Sequence, residues 1–300
     1  GLTRIHMEED AGKLIHDLTV NDSLFDANRC GTPLIEIVSD PDLRSPREAY
    51  LYLEKLKQIL EYLEICDANM ERGNLRCDAN VSLRKDENAP FGERVELKNM
   101  NSFHNLEKAL EAEIELQASI LDQGGVIRRE TKRWDVAKGV TVPNRSKEDA
   151  QDYRYFPEPD LVRLNVTESD VELVRSGLPE LPEARRKRYV ESYGVPPYDA
   201  DVLTREKAVS EFFEGVCAVT SDRKAASNWV MGEVSRRLNA AEVDLTHPPV
   251  SAAQLAALIS RISDGTISNN AGKQVFDALW NGEGNDVDAL IDAKGLKQID

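Results

Sequence analysis

Cysteine and histidine are scarce, four of each in 300 residues. Cys30, Cys66, Cys77 and Cys217 form no Cys-x-x-Cys pair, and His6, His16, His104 and His247 are the only imidazoles. That argues against a structural zinc site or a disulfide framework and suits a reducing compartment. The thiols read as small buried hydrophobes. Long apolar runs are missing too, which predicts neither a membrane span nor a signal peptide. No Gly-x-Ser-x-Gly, no supported Ser-x-x-Lys and no Cys/His dyad speaks for nucleophilic catalysis. Walker A and dinucleotide fingerprints are also absent. Positive charge is in the minority, 38 Lys+Arg against 54 Asp+Glu for a net −16, the reverse of a sequence-independent nucleic-acid binder.

What is present is an ordinary globular chain, 41% hydrophobic and 31% charged, with length for about two domains. Texture changes near residue 180. Short alternating strands and two long helices precede it; after Pro182 nearly everything reads as helix, over about 182–193, 200–218, 222–240, 251–263, 268–281 and 285–293. Of the two early helices, one opens at Ser45-Pro46-Arg47-Glu48, a cap followed by Pro and Glu. Its inward stripe is Ala49, Leu53, Leu56, Ile59, Leu60 and Leu63. The other opens at Ser102, turns Leu106, Ala109, Leu110, Ile114 and Leu121 inward, and stops at Gly124-Gly125.

Between them, Asn74–Arg84 alternates without a break, and Arg94–Lys98 alternates again beyond a loop. The pair predicts an antiparallel hairpin with one buried face and a polar face carrying Arg76, Asp78, Arg84, Glu96 and Lys98. That face is either solvated surface or the wall of a cleft. Carboxylates recur at Glu8, Glu9 and Asp10 and at Glu36, which sits inside the apolar run Leu34–Val38. A charge buried there needs a partner, either an arginine or a cation such as Mg²⁺. A site for ATP would have to work without a P-loop, carboxylates holding metal and Arg76 or Arg84 neutralising phosphate. Arg128–Asp135 reads as a phosphate-contacting stretch or a charged edge strand. Asn144–Asp160, with three aromatics and two prolines, reads as a rigid, partly buried loop.

Five segments in order resemble a known family: His6–Lys13, Gly31–Ser39, Leu75–Ser82, Leu97–Phe103 and Asp152–Asp160. They are similar to the GatB components of tRNA-dependent Asp/Glu amidotransferases, and the likeness continues through Ser227-Asn228-Trp229 and Asp264–Ser268. Asn144, where a Met is common, is a minor departure.

The resemblance implies an α+β fold, an antiparallel sheet with covering helices followed by an all-α domain. Residues 1–179 would be part of a cradle domain related to glutamine synthetase and guanidino kinases, 180–291 a helical domain, and 292–300 the start of a tail domain. It implies ATP and Mg²⁺ as cofactors and a misacylated tRNA as substrate. The side-chain carboxylate of Glu-tRNA(Gln), or Asp-tRNA(Asn), would be phosphorylated and then amidated by ammonia from a partner amidase (A) component, with a small C component clasping both. Glu9 and Glu36 match the family's metal carboxylates. Further ligands, a Glu and a His, are expected upstream of Gly1, so the chain alone is expected neither to complete its cradle nor to phosphorylate. Arg76, Asp78 and Arg84 come from the polar strand face, with Glu71 and Lys98 as further candidates for the same cleft. Local basic stretches such as Arg185-Arg186-Lys187-Arg188 would grip tRNA, and the setting would be cytoplasmic, or organellar in a eukaryote. Competing readings are a tRNA- and amidase-binding module without chemistry, and a stand-alone guanidino-kinase-like ligase.

Overall fold

A computed structural model describes residues 1–15, 23–98, 100–143, 162–241, 245 and 248–298. The chain forms two compact units, Gly1–Leu53 with Cys77–Asn144, and Glu54–Arg76 with Arg145–Asp300. The architecture is mixed α/β, strands in the first unit and helices dominating the second.

The first unit opens with β1 (Leu2–Glu9) and continues with β2 (Lys13–Ile15), β3 (Leu24–Asp26) and β4 (Pro33–Ser39). β1 pairs antiparallel with β4, and β2 with β3. Helix α1 (Pro46–Tyr62) begins where its signals predict. Ser45 Oγ accepts the Glu48 N–H at 3.2 Å, and the Glu48 carboxylate accepts the Arg44 N–H at 2.5 Å. The division between units falls within this helix, after Leu53.

β5 (Ala79–Val81), β6 (Val95–Lys98), β7 (Glu130–Asp135) and β8 (Val140–Pro143) form a four-stranded sheet in that order. β5–β6 is the expected antiparallel pair and β7–β8 is antiparallel, but β6–β7 is parallel, so the sheet is mixed where an antiparallel one is expected. Helix α2 (Phe103–Asp122) makes the crossover that a parallel pair requires, and Ser102 caps it through the Asn105 N–H at 3.1 Å. Leu53, Val95, Leu97, Leu106, Ala109 and Leu110 close the core between helix and sheet.

Three sequence expectations change here. The strand expected over Asn74–Arg84 is regular only at Ala79–Val81, because the ladder offered by β6 runs from Val95 to Leu97 before α2 begins. Exposure still alternates from Asn74 to Asn80 as the pattern requires. Arg128–Asp135 supplies an interior strand rather than an edge, since β7 has neighbours on both sides. On α2, Leu121 is exposed and Ile114 only half-buried, while Glu113 and Gln117 occupy the buried stripe.

The second unit runs α3 (Glu168–Gly177), α4 (Pro182–Tyr193), α5 (Pro197–Leu203), α6 (Lys207–Val219), α7 (Arg223–Trp229), a π-helical turn (Val230–Val234), α8 (Ser235–Ala241), α9 (Ala252–Ser263), α10 (Asn269–Trp280) and α11 (Val287–Ala293). Its core includes Phe213, Trp229, Leu255, Ile259, Phe276 and Ile291. α4 ends at Gly194, whose φ of 69° is the left-handed conformation that glycine adopts without strain. The single helix expected over 200–218 breaks after Leu203. The Thr204 carbonyl there accepts from Gln58 Nε2 at 2.7 Å and the Tyr62 hydroxyl at 2.8 Å. The helix expected over 222–240 contains the π turn, and Ser235 Oγ donates to the Val230 carbonyl at 2.8 Å. α3 escaped the sequence reading, although Thr167 and Asp170 form a capping box.

A charged knot ties α4 to α6. Arg188 donates to Glu180 at 2.5–3.2 Å and to Glu214 at 2.5 Å, and Arg185 reaches Glu180 at 3.4 Å. The Arg188 hydrogen bond, foremost, holds the Glu180 carboxyl below its ordinary value of 4.5, against the opposing effect of burial. A depressed folded pKa stabilises above the unfolded value and loses that contribution as pH falls through the folded one. The thermal stability of this unit should therefore fall below about pH 4.5, and Arg188→Leu should flatten that dependence. An unchanged acid slope in the variant would remove Glu180 from the account.

Candidate functional site

The sheet has an apolar face under α2 and a polar face opposite. Period-two alternation puts Val95 and Leu97 inward, so Glu96 and Lys98 point outward. The register sets Asn80 opposite Glu96 on β5, and Thr131 and Arg133 beside Glu96 and Lys98 on β7. Lys98 Nζ lies 3.3 Å from Asp78 and 3.4 Å from Glu96, and Thr131 Oγ1 donates to Glu96 at 2.9 Å. Partial burial works to lower the Lys98 ammonium; the two carboxylates outweigh it, so its pKa stands above the ordinary lysine value. Lys98 is thus a fixed cation, suited to steadying negative charge and unsuited to acting as a base. Behind the face, burial and then Asp78 push the Cys77 thiol up to about 12, which leaves it protonated and inert.

Asp78 and Lys98 are therefore brought together, with Glu96 as a third member. Arg84 is turned toward its own loop: its guanidinium sits 4.9 Å from the Phe91 ring centroid and donates to the Ala89 carbonyl at 3.4 Å. Glu71, in a turn, and Arg76 are exposed and belong to the second unit.

On the β1–β4 ribbon the register pairs His6 with Glu36 and Glu9 with Pro33. Arg4, His6, Glu8 and Glu36 therefore share one face; Ile5, Met7 and Glu9 occupy the other. Glu36, expected inside an apolar run, has a half-exposed side chain and pairs with Arg4 at 3.2 Å. β1 is exposed along its whole length and the Glu36 side chain is half exposed, so the carboxylate stays solvated. The ribbon by itself does not offer Glu9 and Glu36 to one ion. Among the described residues no group of three or more His, Cys, Asp or Glu side chains converges as a metal site. Cavities of about 280 Å³, lined by Asp222, Asn228 and Trp229 among others, and about 220 Å³, beside Leu83 and Ile127, involve none of the seven predicted site residues. The Asn144–Asp160 segment lies outside the described residues.

One cluster was missed by the sequence reading. Glu113 is fully buried and accepts from Lys132 Nζ at 3.1 Å on both oxygens, from Thr141 Oγ1 at 2.6 Å and from Gln117 Nε2 at 3.0 Å. Its signal was available: Leu106, Ala109, Leu110, Glu113 and Gln117 follow the helical period, and only the assumption that inward positions are apolar hid the last two.

The chain thus combines a mixed α/β unit, whose sheet carries a charged open face, with a second unit dominated by helices. Residues 1–172 match the family model described as the GatB/GatE catalytic domain, and residues 211–300 match the GatB domain. The chain belongs to the GatB family. It is 52% identical over 299 residues to the B component of the aspartyl/glutamyl-tRNA(Asn/Gln) amidotransferase of Hydrogenovibrio crunogenus, covering 100% of this chain and 62% of the relative. The B components of the amidotransferases of the same name from Ralstonia pickettii and Thermoanaerobacter pseudethanolicus are 51% and 50% identical, over 99% and 100% of this chain and 62% of theirs. The chain thus spans about three fifths of the length of the curated relatives it matches. No helix among the described residues is long and apolar enough to cross a membrane.

Proposed function

We propose that the chain is the kinase-bearing part of the GatB component of a tRNA-dependent amidotransferase. It activates the side-chain carboxylate of Glu-tRNA(Gln), Asp-tRNA(Asn) or both with ATP, in a cytoplasmic complex with an amidase (A) and a small C component. The observation that carries the reading is identity of about half the residues, along the whole chain, with relatives that bear that name. Residues 1–179 then form part of the cradle, 180–291 the helical domain and 292–300 the start of the tail.

The chemistry suits the polar face. A carboxylate is a poor electrophile because it has no good leaving group; as an acyl phosphate it is attacked by ammonia at the carbonyl carbon and releases inorganic phosphate. The work left to the protein is to align the carboxylate with the γ-phosphate and to neutralise charge. Lys98, held by Asp78 and Glu96, is the fixed cation for that task; Arg76, Arg84 and Glu71 are carried as further candidate residues for the reaction. Glu9 and Glu36 carry over from the family motif as Mg²⁺ carboxylates; bound Mg²⁺ would neutralise phosphate charge. The ribbon's register does not bring the two acids to one ion, so their assignment rests on the motif alone.

Substitution in the full-length complex tests the reading. Lys98→Ala should lower tRNA-dependent ADP formation by about 100-fold, and Glu36→Gln and Glu9→Gln should abolish it, while glutamine hydrolysis by the partner stays measurable. Unchanged ADP formation in all three would favour a binding module without chemistry. Product formation from free ammonia without the amidase would be compatible with the proposal; strict independence from tRNA would point to a stand-alone ligase.

A further inference from the structure

We propose that Arg133 is the oxyanion-binding residue of the polar sheet face, taking a carboxylate or phosphate group of the substrate on its guanidinium fork. The proposal rests on the assignment of that face to the phosphoryl-transfer site.

Placement comes first. The parallel β6–β7 pair puts Arg133 directly beside Lys98, at an inter-strand spacing of about 4.8 Å. Sequence offers no hint of this, because 35 positions and the whole of α2 separate the two. Like charges on adjacent strands are destabilising unless each has a counter-ion. Lys98 has two, Asp78 and Glu96. Arg133 is exposed and has no hydrogen-bond or ion-pair partner among the described residues. Its other strand neighbour is Val142 on β8, which brings no charge.

The orientation is enforced from below. Lys132, between Thr131 and Arg133, is drawn under the sheet onto Glu113. Because alternate residues point to opposite faces, anchoring Lys132 inward obliges Thr131 and Arg133 to point outward. Thr131 shows the result, since it reaches Glu96 on the open face. A slip of one residue would turn Lys132 outward and Thr131 and Arg133 inward, breaking both the Lys132–Glu113 pair and the Thr131–Glu96 hydrogen bond.

The chemistry then selects the ligand. A planar guanidinium presents paired N–H donors that match the two oxygens of a carboxylate or phosphate, and lysine cannot reproduce that fork. Among the described residues the face thus holds a paired cation, Lys98, and an unpaired one, Arg133, side by side. An arriving oxyanion would relieve the repulsion between them.

The experiment is steady-state kinetics of tRNA-dependent ADP formation by the full-length complex. Arg133→Ala should lower kcat/KM by about 10–100-fold, with partial recovery in Arg133→Lys and further recovery of Arg133→Ala by added guanidinium ion. A raised KM for ATP identifies the anion as phosphate; a raised KM for the aminoacyl-tRNA identifies it as the amino-acid carboxylate. If Lys98→Ala is impaired and Arg133→Ala is not, the inference falls and the functional reading stands. If neither is impaired, the functional reading of the face falls with it.

Discussion

Glu113→Ala lowers the free energy of opening of the sheet-bearing unit by about 3–5 kcal/mol. The carboxylate is fully buried and collects donors from Lys132, Thr141 and Gln117. Removing it strands the Lys132 ammonium, whose remaining partner Glu130 stands 3.3 Å away. Losing one partner of a buried pair costs far more than the pair contributes in net terms, because the survivor keeps its desolvation penalty. The paired replacement Glu113→Leu with Lys132→Met should therefore recover most of the loss. Hydrogen exchange of the α2 and β7 amides measures both effects without requiring the chain to unfold in one step. A loss in Glu113→Ala under about 1 kcal/mol would show that the pair behaves as a solvated one.

Tyr62→Ala costs the helical unit about 3–5 kcal/mol. The side chain is 1% exposed, and its hydroxyl meets the Thr204 carbonyl at 2.8 Å and Ser210 Oγ at 2.6 Å. The Arg185 guanidinium lies 5.3 Å from its ring centroid. Burial, above all, raises the phenol's pKa, so it remains a neutral donor near neutral pH. Tyr62→Phe separates the two contributions. The ring and its cation contact remain, Thr204 keeps Gln58 as donor, and Ser210 Oγ keeps the Leu203 carbonyl at 3.0 Å. The loss should then be about 1 kcal/mol. Thermal unfolding of the two variants in the full chain reads the difference; equal losses would place the whole effect in the hydroxyl.

The helices were the most legible part of the fold. α4, α9, α10 and α11 fall within two residues of their expected limits, because proline, serine and glycine punctuation acts locally on the backbone. The breaks in two longer runs were not legible. Thr204 leaves helix because Gln58 and Tyr62, more than 140 positions earlier, take its carbonyl. No local propensity encodes such a partner.

The candidate site divides the same way. Alternation along Asn74–Arg84 and Arg94–Lys98 was enough to place Asp78, Glu96 and Lys98 on one polar face, since the side-chain period of a strand is a property of the backbone. Alternation cannot say which strand lies beside which. Burial of Glu36 was inferred from its apolar neighbours, yet it is half exposed, because burial depends on what covers a strand. By itself the sequence determined the family, the punctuation of the helices and the existence of a charged strand face, all carried by local pattern and motif order. Only the tertiary structure decided that β7 runs parallel to β6, that Glu113 holds Lys132 beneath the sheet, and that Arg133 stands beside Lys98. Each of those depends on contacts between segments far apart in the chain, and the free energy that selects them exists only once the segments have packed.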